Sequence, residues 1–476
     1  MKKKILQDIT ANMLQLIIVQ SCGLVVFYLL STRLSKNEFG EINWALAVLL
    51  TAFGILAFGI DQIAIRRIAS GIDPARLLST YINHVLIAGF FFYGMLWVSS
   101  VIFSSFSDHY HVLLLLGFGK LMIFFSTPFK QIAIGLEKFR SLLLMAVISN
   151  FLRALVLIVL GVLQQLNIHV IVIVFVVTDL SELLVCVFIM QKNLKVSWQL
   201  KWNRSEYKNL VTEAFPQFGV AIFTSALSRL DWILLGILSS NVILAEYSFA
   251  YKVFEMATLP MLVIAPVLIP RFTRLFRPEA GNLPETKIAD LFVFLRLEII
   301  IASLSALLLN ILWVPVIDWL TNNKYGAVNQ TTMLLLSTTM PFLYFNNFLW
   351  TVNFAKGQLK MILYIFAISF IFNLVADIVL IPLFGAKGAA LAYLAAIMAQ
   401  SVLYLKKTKL TGVKEISYQL LFCPLVAVLS YLLITSIIDI WWISLIVAPV
   451  FFFVLLCLVK QIRYADWHTF KRIIHL

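Results

Sequence analysis

The sequence predicts an all-α integral membrane protein, and three observations carry that prediction. Of the 476 residues, 62% are hydrophobic and 13% are charged, whereas about a quarter of the residues in a typical soluble domain are charged. About fourteen apolar stretches are each long enough to span a bilayer, which takes roughly 20 residues of helix. The charged residues that remain fall mainly on alternate connections between these stretches.

The predicted spans follow one another along the chain with short connections. They cover residues 9–32, 42–65, 77–104, 111–130, 141–164, 168–191, 212–238, 243–270, 288–317, 329–355, 361–383, 387–405, 417–438 and 441–459. Of the 37 Lys and Arg residues, 28 lie on the termini and alternate connections, 4 on the other connections and 5 inside spans. Because short basic segments are poorly translocated, the basic side and both termini are expected in the cytoplasm.

The same pattern explains the formal net charge of +14. The excess is spread over short segments on one side of the membrane, where it meets anionic lipid headgroups. Membrane lipids are therefore expected as partners, and nucleic acid is not. Lys130 is assigned to the cytoplasmic connection that follows the fourth span, together with Lys138 and Arg140.

Two pairs of similar segments within the sequence predict a duplicated core of two six-helix lobes. Residues 34–45 resemble residues 238–250, and residues 135–160 resemble residues 357–380. Repeats with an even number of spans run parallel, and transporters built in this way bind substrate between the halves. The predicted divisions are an N-terminal lobe at 1–191, a cytoplasmic linker at 192–211, a C-terminal lobe at 212–410, and two further spans with a tail at 411–476.

Sequence motifs for catalysis and for cofactors are absent. The chain has no GxxxxGK[ST] segment for a nucleotide and no HExxH or GxSxG segment. Its four cysteines are scattered singly, with no metal-ligand or disulfide spacing. No cofactor is expected, and the short outer loops argue against a membrane-embedded enzyme such as a polymerase of lipid-linked sugars.

Ionisable residues inside the spans are the positive evidence for function. Each costs at least about 2.5–3.5 kcal/mol at a helix centre, so such residues normally face a cavity or a partner. One interpretation is that four cations line a cavity and bind an anionic headgroup, since Arg binds phosphate oxygens bidentately and Lys supplies a point charge. The other interpretation is structural pairing with carboxylates. The four cations are Lys120, Arg153, Arg229 and Lys252, and the candidates for pairing or ion coupling are Asp61, Asp231, Glu255 and Asp377.

The tenth span adds amide and aromatic side chains that are unusual in a lipid-facing helix. Stacking and hydrogen bonding make Asn346, Asn347, Trp350 and Asn353 candidate sugar contacts. Hydrogen bonding between helices, with the aromatic side chains filling space, is the alternative explanation.

Several segments resemble a known family of membrane transporters. They are residues 58–67, with Gly59 and Asp61; Phe215-Pro216 with Asp231 downstream; residues 247–251; and residues 385–390. With the fourteen-span pattern and the repeat, they resemble the polysaccharide-transport branch of the multidrug/oligosaccharidyl-lipid/polysaccharide (MOP) exporter superfamily. The similarity covers nearly the whole chain and is greatest to flippases of the O-antigen (Wzx) type.

The resemblance implies a MATE-like fold and a flippase function. Such proteins move undecaprenyl-pyrophosphate-linked oligosaccharide across the bacterial inner membrane by alternating access, and a cationic cavity accepts the pyrophosphate. The expected partners are the lipid-linked oligosaccharide, H⁺ or Na⁺ as a coupling ion, and a polymerase of the same pathway. A multidrug antiporter of the same superfamily is the alternative, although its cavity is expected to carry unpaired carboxylates.

Overall fold

The chain folds entirely into helices in the part that the structure describes. A computed structural model describes residues 2–102, 109–196, 199, 202–261, 285–408 and 413–461. The chain forms two compact units, Met1–Gly236 and Ile237–Leu476. This boundary lies one helix later than the predicted boundary between the lobes, which stays a prediction.

The helices of the first unit correspond in order to the first seven predicted spans. They are α1 (Lys2–Arg33), α2 (Lys36–Leu56), α3 (Ile60–Ala69), α4 (Pro74–Ile102), α5 (His109–Gly135), α6 (Phe139–Val162), α7 (Ile168–Lys192) and α8 (Arg204–Leu238). Helices α5, α6 and α7 pack against one another, and α3 and α4 pack against α5. The last two residues of α8 belong to the second unit.

The second unit contains the helices of the remaining spans. They are α9 (Asn241–Ala257), α10 (Glu285–Thr321), α11 (Gln330–Thr338), α12 (Met340–Ala355), α13 (Leu359–Phe384), α14 (Ala386–Lys407), α15 (Val413–Ile437) and α16 (Trp441–Leu458). Helix α14 packs against α12 and α13, and α15 packs against α10 and α16.

Ten helices in the described residues are long and apolar enough to cross a membrane, and Ile17–Arg33 is a shorter apolar segment. The protein is therefore a multi-pass membrane protein, as predicted. The predicted total of fourteen spans is not reached by these criteria, partly because the tenth predicted span is interrupted. The tenth span divides into α11 and α12 around Thr339, just before Pro341 at the start of α12.

The prediction of one continuous second span at 42–65 is wrong. Helix α2 ends at Leu56, and Phe58 and Gly59 have positive φ angles of 55° and 71° before α3 begins. Irregular backbone at membrane depth must find internal hydrogen-bond partners. His84 of α4 provides one, because its Nε2 donates to the Leu56 carbonyl over 2.9 Å. The interruption places Asp61 in the first turn of α3, where the helix dipole favours a carboxylate.

The first pair of similar segments, residues 34–45 and 238–250, contains two equivalent helix starts. Ser35 caps α2, and its hydroxyl accepts a hydrogen bond from the Glu38 amide over 3.2 Å. Ser240 caps α9 in the same way by accepting from the Ile243 amide over 3.3 Å. A serine at the N-cap satisfies an amide that has no partner within the helix, so the repeated serines have a direct structural cause.

The second pair of similar segments, residues 135–160 and 357–380, begins with two equivalent turns. Lys138 donates its amide to the Ala133 carbonyl over 2.9 Å, and Gln358 donates to Asn353 over the same distance. The residue before each donor has a positive φ, 56° and 71°. Both bonds close a helix C-terminus through the left-handed conformation, and the next helix, α6 or α13, follows directly. The two turns give a structural register between the units at these helices.

Candidate functional site

Helix α7 carries two buried carboxylates on one face. Asp179 and Glu182 are three residues apart, so their side chains are neighbours on the helix surface. They are 0% and 4% exposed. Because α5 and α6 pack against α7, cations from both helices can reach this face.

Asp179 binds two of the predicted cations. Lys120 of α5 donates from Nζ to Oδ2 over 2.8 Å, and Arg153 of α6 donates from Nη2 to Oδ1. The Arg153 Nε donates to the Thr178 hydroxyl over 2.9 Å. The Phe175 ring lies 5.6 Å from the Lys120 ammonium and 4.7 Å from the Arg153 guanidinium. This geometry combines ion pairing with cation–π contact, which stabilises cations in low-dielectric surroundings.

Gly119 allows this pair of helices to approach closely. A Cβ atom at this position would lie 2.9 Å from Asp179 Oδ2 and 3.3 Å from the Val176 Cα. Any larger residue would push the carboxylate away from Lys120. The glycine beside Lys120 is therefore part of the local sequence that positions the ion pair.

Glu182 binds Lys130, which sequence reasoning assigned to a cytoplasmic connection. That assignment is wrong, because α5 continues to Gly135 and the Lys130 side chain is only 19% exposed. Lys130 donates to Glu182 Oε1 over 2.7 Å, and the Ser149 hydroxyl donates to Oε2 over 2.5 Å. The missed signal was the i, i+3 pair of carboxylates on α7, since two buried carboxylates on one face require more than one cation.

Asp61 belongs to the same neighbourhood. It accepts a hydrogen bond from the Tyr81 hydroxyl, and it interacts electrostatically with Lys130. The neighbourhood therefore holds three cations and three carboxylates. We call it the charge network, and its members are Lys120, Lys130, Arg153, Asp61, Asp179 and Glu182.

The two other predicted cations make different contacts among the described residues. The Arg229 guanidinium lies 4.5 Å from the centroid of the Trp232 ring on α8. Asp231, on the same helix, is 1% exposed. In the second unit, Lys252 donates to Glu255 over 2.7 Å within α9. This contact is the pairing that the structural interpretation of the sequence predicts.

Two of the four candidate sugar contacts bind neighbouring helices instead of facing open space. The Asn346 side-chain amide donates to Gln400 over 3.0 Å and to the Ile397 carbonyl over 3.1 Å. Asn353 donates to the Thr408 hydroxyl over 2.9 Å. These contacts agree with hydrogen bonding between helices.

The remaining candidates are less enclosed. Asn347 and Trp350 are half-buried, and the Trp350 ring stacks on Phe354 with centroids 5.2 Å apart. Asp377 on α13 is buried and accepts a hydrogen bond from Asn373 over 2.8 Å.

Fold and site together define a class: a multi-pass helical membrane protein with an ion-paired network inside its apolar helices. Residues 5–276 match the family model described as polysaccharide biosynthesis protein. This match covers more than half of the chain, and the chain belongs to that family.

Solved structures with a similar fold are transporters. The lipid II flippase MurJ in an inward closed conformation matches with a TM-score of 0.72 and 14% identity, over 93% of this chain and 97% of that one. An inward-facing multidrug resistance MATE family transporter of the MOP superfamily matches with a TM-score of 0.66 and 13% identity, over 86% of this chain and 98% of that one. The Vibrio cholerae MATE transporter VcmN in the bent form matches with a TM-score of 0.55 and 13% identity, over 88% of this chain and 98% of that one.

At this level of identity the likeness establishes the MurJ/MATE-like fold. A search of curated protein sequences finds no match.

Proposed function

We propose that the protein is a flippase that moves undecaprenyl-pyrophosphate-linked oligosaccharide, such as an O-antigen repeat unit, across the bacterial inner membrane by alternating access. The family of polysaccharide biosynthesis proteins and the MurJ/MATE-like fold support this class of function. The single observation on which the proposed mechanism rests is the charge network on α3, α5, α6 and α7.

The substrate explains why the network is retained inside apolar helices. A pyrophosphate that enters hydrocarbon without compensation faces a prohibitive transfer cost. Lys120 and Arg153 supply a point charge and a forked guanidinium, which are the donors that suit phosphate oxygens. Asp179 holds both cations in place over the Phe175 ring.

The balance of charges in the network provides a route to ion coupling. With all carboxylates ionised, three cations face three anions. Uptake of a proton by Asp61 would leave the network with one net positive charge, which favours an entering anion. Loss of that proton would restore the balance and favour release. Asp231, Glu255 and Asp377 are further candidates for the coupling site, with either H⁺ or Na⁺ as the ion.

Other residues complete the proposed path. Arg229 and Lys252 are proposed to attract the headgroup, and Asn347 and Trp350 are proposed to contact sugars. The polyprenyl chain stays in lipid. We further propose that the chain works with a polymerase of the same pathway, and that its termini lie in the cytoplasm.

The direct test is the leaflet accessibility of lipid-linked oligosaccharide in cells lacking this protein. We expect substrate to accumulate on the cytoplasmic leaflet and the wild-type chain to relieve the accumulation. Normal translocation combined with new sensitivity to cationic drugs would contradict the proposal and favour a multidrug antiporter.

Arg229 tests the role of an individual cation. We expect Arg229→Ala to abolish translocation without loss of folded protein, and Arg229→Lys to retain part of it, because lysine keeps the charge but loses the fork. Translocation is measured by leaflet accessibility and folding by size-exclusion chromatography. A misfolded Arg229→Ala that Asp231→Asn rescues would instead identify a structural pair.

A further inference from the structure

A second group of cations surrounds an open cavity at one end of the first unit. The cavity has a volume of about 670 Å³, within the range of about 300–1,000 Å³ that is typical of ligand sites. Three arginines of α3 and α4 line it, the start of α8 contributes amide, hydroxyl and carboxylate groups, and Asp73 contributes a further carboxylate. We call it the arginine cavity, and its arginines are Arg66, Arg67 and Arg76.

Each arginine of the cavity is held by a carboxylate of α8. Arg66 and Arg67 share Glu213, and the Arg67 Nε donates to Glu213 Oε2 over 2.8 Å. Arg76 donates from Nε to Glu206 Oε2 over 2.7 Å. The Arg66 and Arg76 side chains are largely exposed, whereas Arg67 and both carboxylates are partly buried. An incoming anion therefore reaches Arg66 and Arg76 from solvent and competes with Glu213 and Glu206 for their donors.

The guanidinium groups also retain unused hydrogen-bonding capacity. A guanidinium has five N–H donors, whereas within the described residues Arg66 and Arg76 each use one and Arg67 uses two. The side chains of Arg66 and Arg76 are 65% and 63% exposed. Two adjacent guanidinium groups that share one carboxylate present the spacing and the donors that a phosphate binds.

We propose that the arginine cavity binds the phosphate groups of a lipid headgroup at the membrane surface. The natural ligand follows from the proposed function, on which this part of the inference rests: it is the pyrophosphate of the lipid-linked oligosaccharide, held here before it enters the apolar helices. The side-chain amides of Asn203 and Asn209 line the same cavity and can donate further hydrogen bonds.

Binding at this site is coupled to the position of α8. Glu213 connects α8 to α3 through Arg66 and Arg67, and a phosphate on these arginines displaces it. Because Glu213 and the phosphate compete for the same two arginines, weakening the Glu213 contact strengthens phosphate binding. Substrate loading therefore loosens the connection between these helices, which prepares a conformational change.

The test is binding of inorganic pyrophosphate to the purified full chain in detergent, measured by calorimetry. We expect Arg66→Gln with Arg67→Gln to weaken binding by about tenfold or more, since charge-assisted hydrogen bonds are lost. The matched control, Lys138→Gln with Arg140→Gln, removes two exposed cations outside the cavity and should leave binding unchanged. Equal loss in both double variants, or no binding by the wild-type chain, would overturn the proposal.

Glu213→Gln gives a result of opposite sign. It removes the carboxylate that competes with phosphate, so we expect tighter pyrophosphate binding by a correctly folded chain. A purely structural role of the ion pairs predicts lower thermal stability with no gain in affinity, and that outcome would also overturn the proposal. This variant keeps both arginines and tests the site even where the double arginine variant fails to fold.

The source of the phosphate is resolved by repeating the titration in lipid nanodiscs. Pyrophosphate binding that is equal in phosphatidylcholine and phosphatidylglycerol discs supports the headgroup of the lipid-linked substrate. Binding that phosphatidylglycerol suppresses supports an ordinary anionic lipid as the occupant. Leaflet accessibility measured on the same variants separates the two proposals: flipping without pyrophosphate binding overturns only this site, and binding without flipping overturns only the flippase function.

Discussion

The two units of the chain place polar side chains in matching positions but differ in their charge. Helices α6 and α13 begin after equivalent turns, and Arg153 and Asn373 lie at the same distance from those turns. Glu182 and Gln400 lie at the same distance from the starts of α7 and α14. At these two positions the first unit has ions and the second unit has neutral amides.

The side-chain contacts differ between the two units in the same way, with ion pairs in the first and neutral hydrogen bonds in the second. In the first unit Asp179 and Glu182 bind Lys120, Arg153 and Lys130. In the second unit Asn346, Gln400 and Ser401 form a neutral network, in which the Ser401 hydroxyl donates to Asn346 over 2.8 Å.

Neutral hydrogen bonds are sufficient to hold apolar helices together, since each contributes about 0.6 kcal/mol on average. Ions are costly at this depth. We therefore predict that the ions at these positions of the first unit serve function and that Asn346 and Gln400 of the second unit serve packing.

The largest effect is expected from Asp179→Ala, which leaves Lys120 and Arg153 without their shared carboxylate. Removal of one partner from a buried ion pair costs about 3–5 kcal/mol, so the purified chain should show a much lower midpoint of thermal unfolding. Adding Lys120→Met should recover part of the loss. Unchanged stability in Asp179→Ala would contradict the view that the network is tightly paired.

The equivalent positions Arg153 and Asn373 give the sharpest functional contrast. We expect Arg153→Lys to reduce flipping by about tenfold, equivalent to about 1.4 kcal/mol, because the compact lysine ammonium lacks the planar fork whose separate nitrogens reach Thr178 and Asp179. Asn373→Ala removes the hydrogen bond to Asp377 and should reduce flipping less than Arg153→Lys, because it breaks no ion pair. Both variants are assayed by leaflet accessibility, and equal losses would show that the units are functionally alike.

Asn346→Ala is expected to have a moderate effect on stability alone. The loss of its hydrogen bonds to α14 should destabilise the chain by about 0.6–1.7 kcal/mol, measured by unfolding in detergent, while flipping is retained. A stable variant that loses flipping or changes its sugar preference would restore Asn346 as a sugar contact.

Lys252→Gln is expected to have the smallest effect on stability. Its partner Glu255 lies one turn away on the same helix, and such pairs contribute about 0.2–0.5 kcal/mol. A normal unfolding midpoint with reduced flipping would support the proposed attraction of the headgroup by Lys252. A lower midpoint with normal flipping would assign the pair to helix stability.

Much of the fold was predictable because it depends on local composition. Apolar runs of about 20 residues gave helices in the right order, since helix length is set by bilayer thickness. Ser35 and Ser240 marked helix starts through their own hydroxyls. The interruption at Phe58 was missed because it depends on a partner, His84, that is distant in the sequence.

The candidate site was predictable only in its residue types. Lys120 and Arg153 stood out as ions in apolar surroundings, and the structure places both on one carboxylate. Lys130 was missed because its distance from the span centre suggested a connection, whereas α5 extends beyond it. Which ions meet depends on how each helix is rotated about its axis, and periodicity in one helix does not fix the rotation of its neighbour.

The sequence by itself determined that this is a multi-pass helical membrane protein with costly ions inside its apolar segments, because hydropathy and charge are properties of each segment alone. Only the tertiary structure decided that Asp179 binds Lys120 and Arg153, that Glu182 binds Lys130, and that three arginines surround one cavity. These contacts join residues far apart in the chain, and close packing of helices selects them from many pairings that the sequence allows.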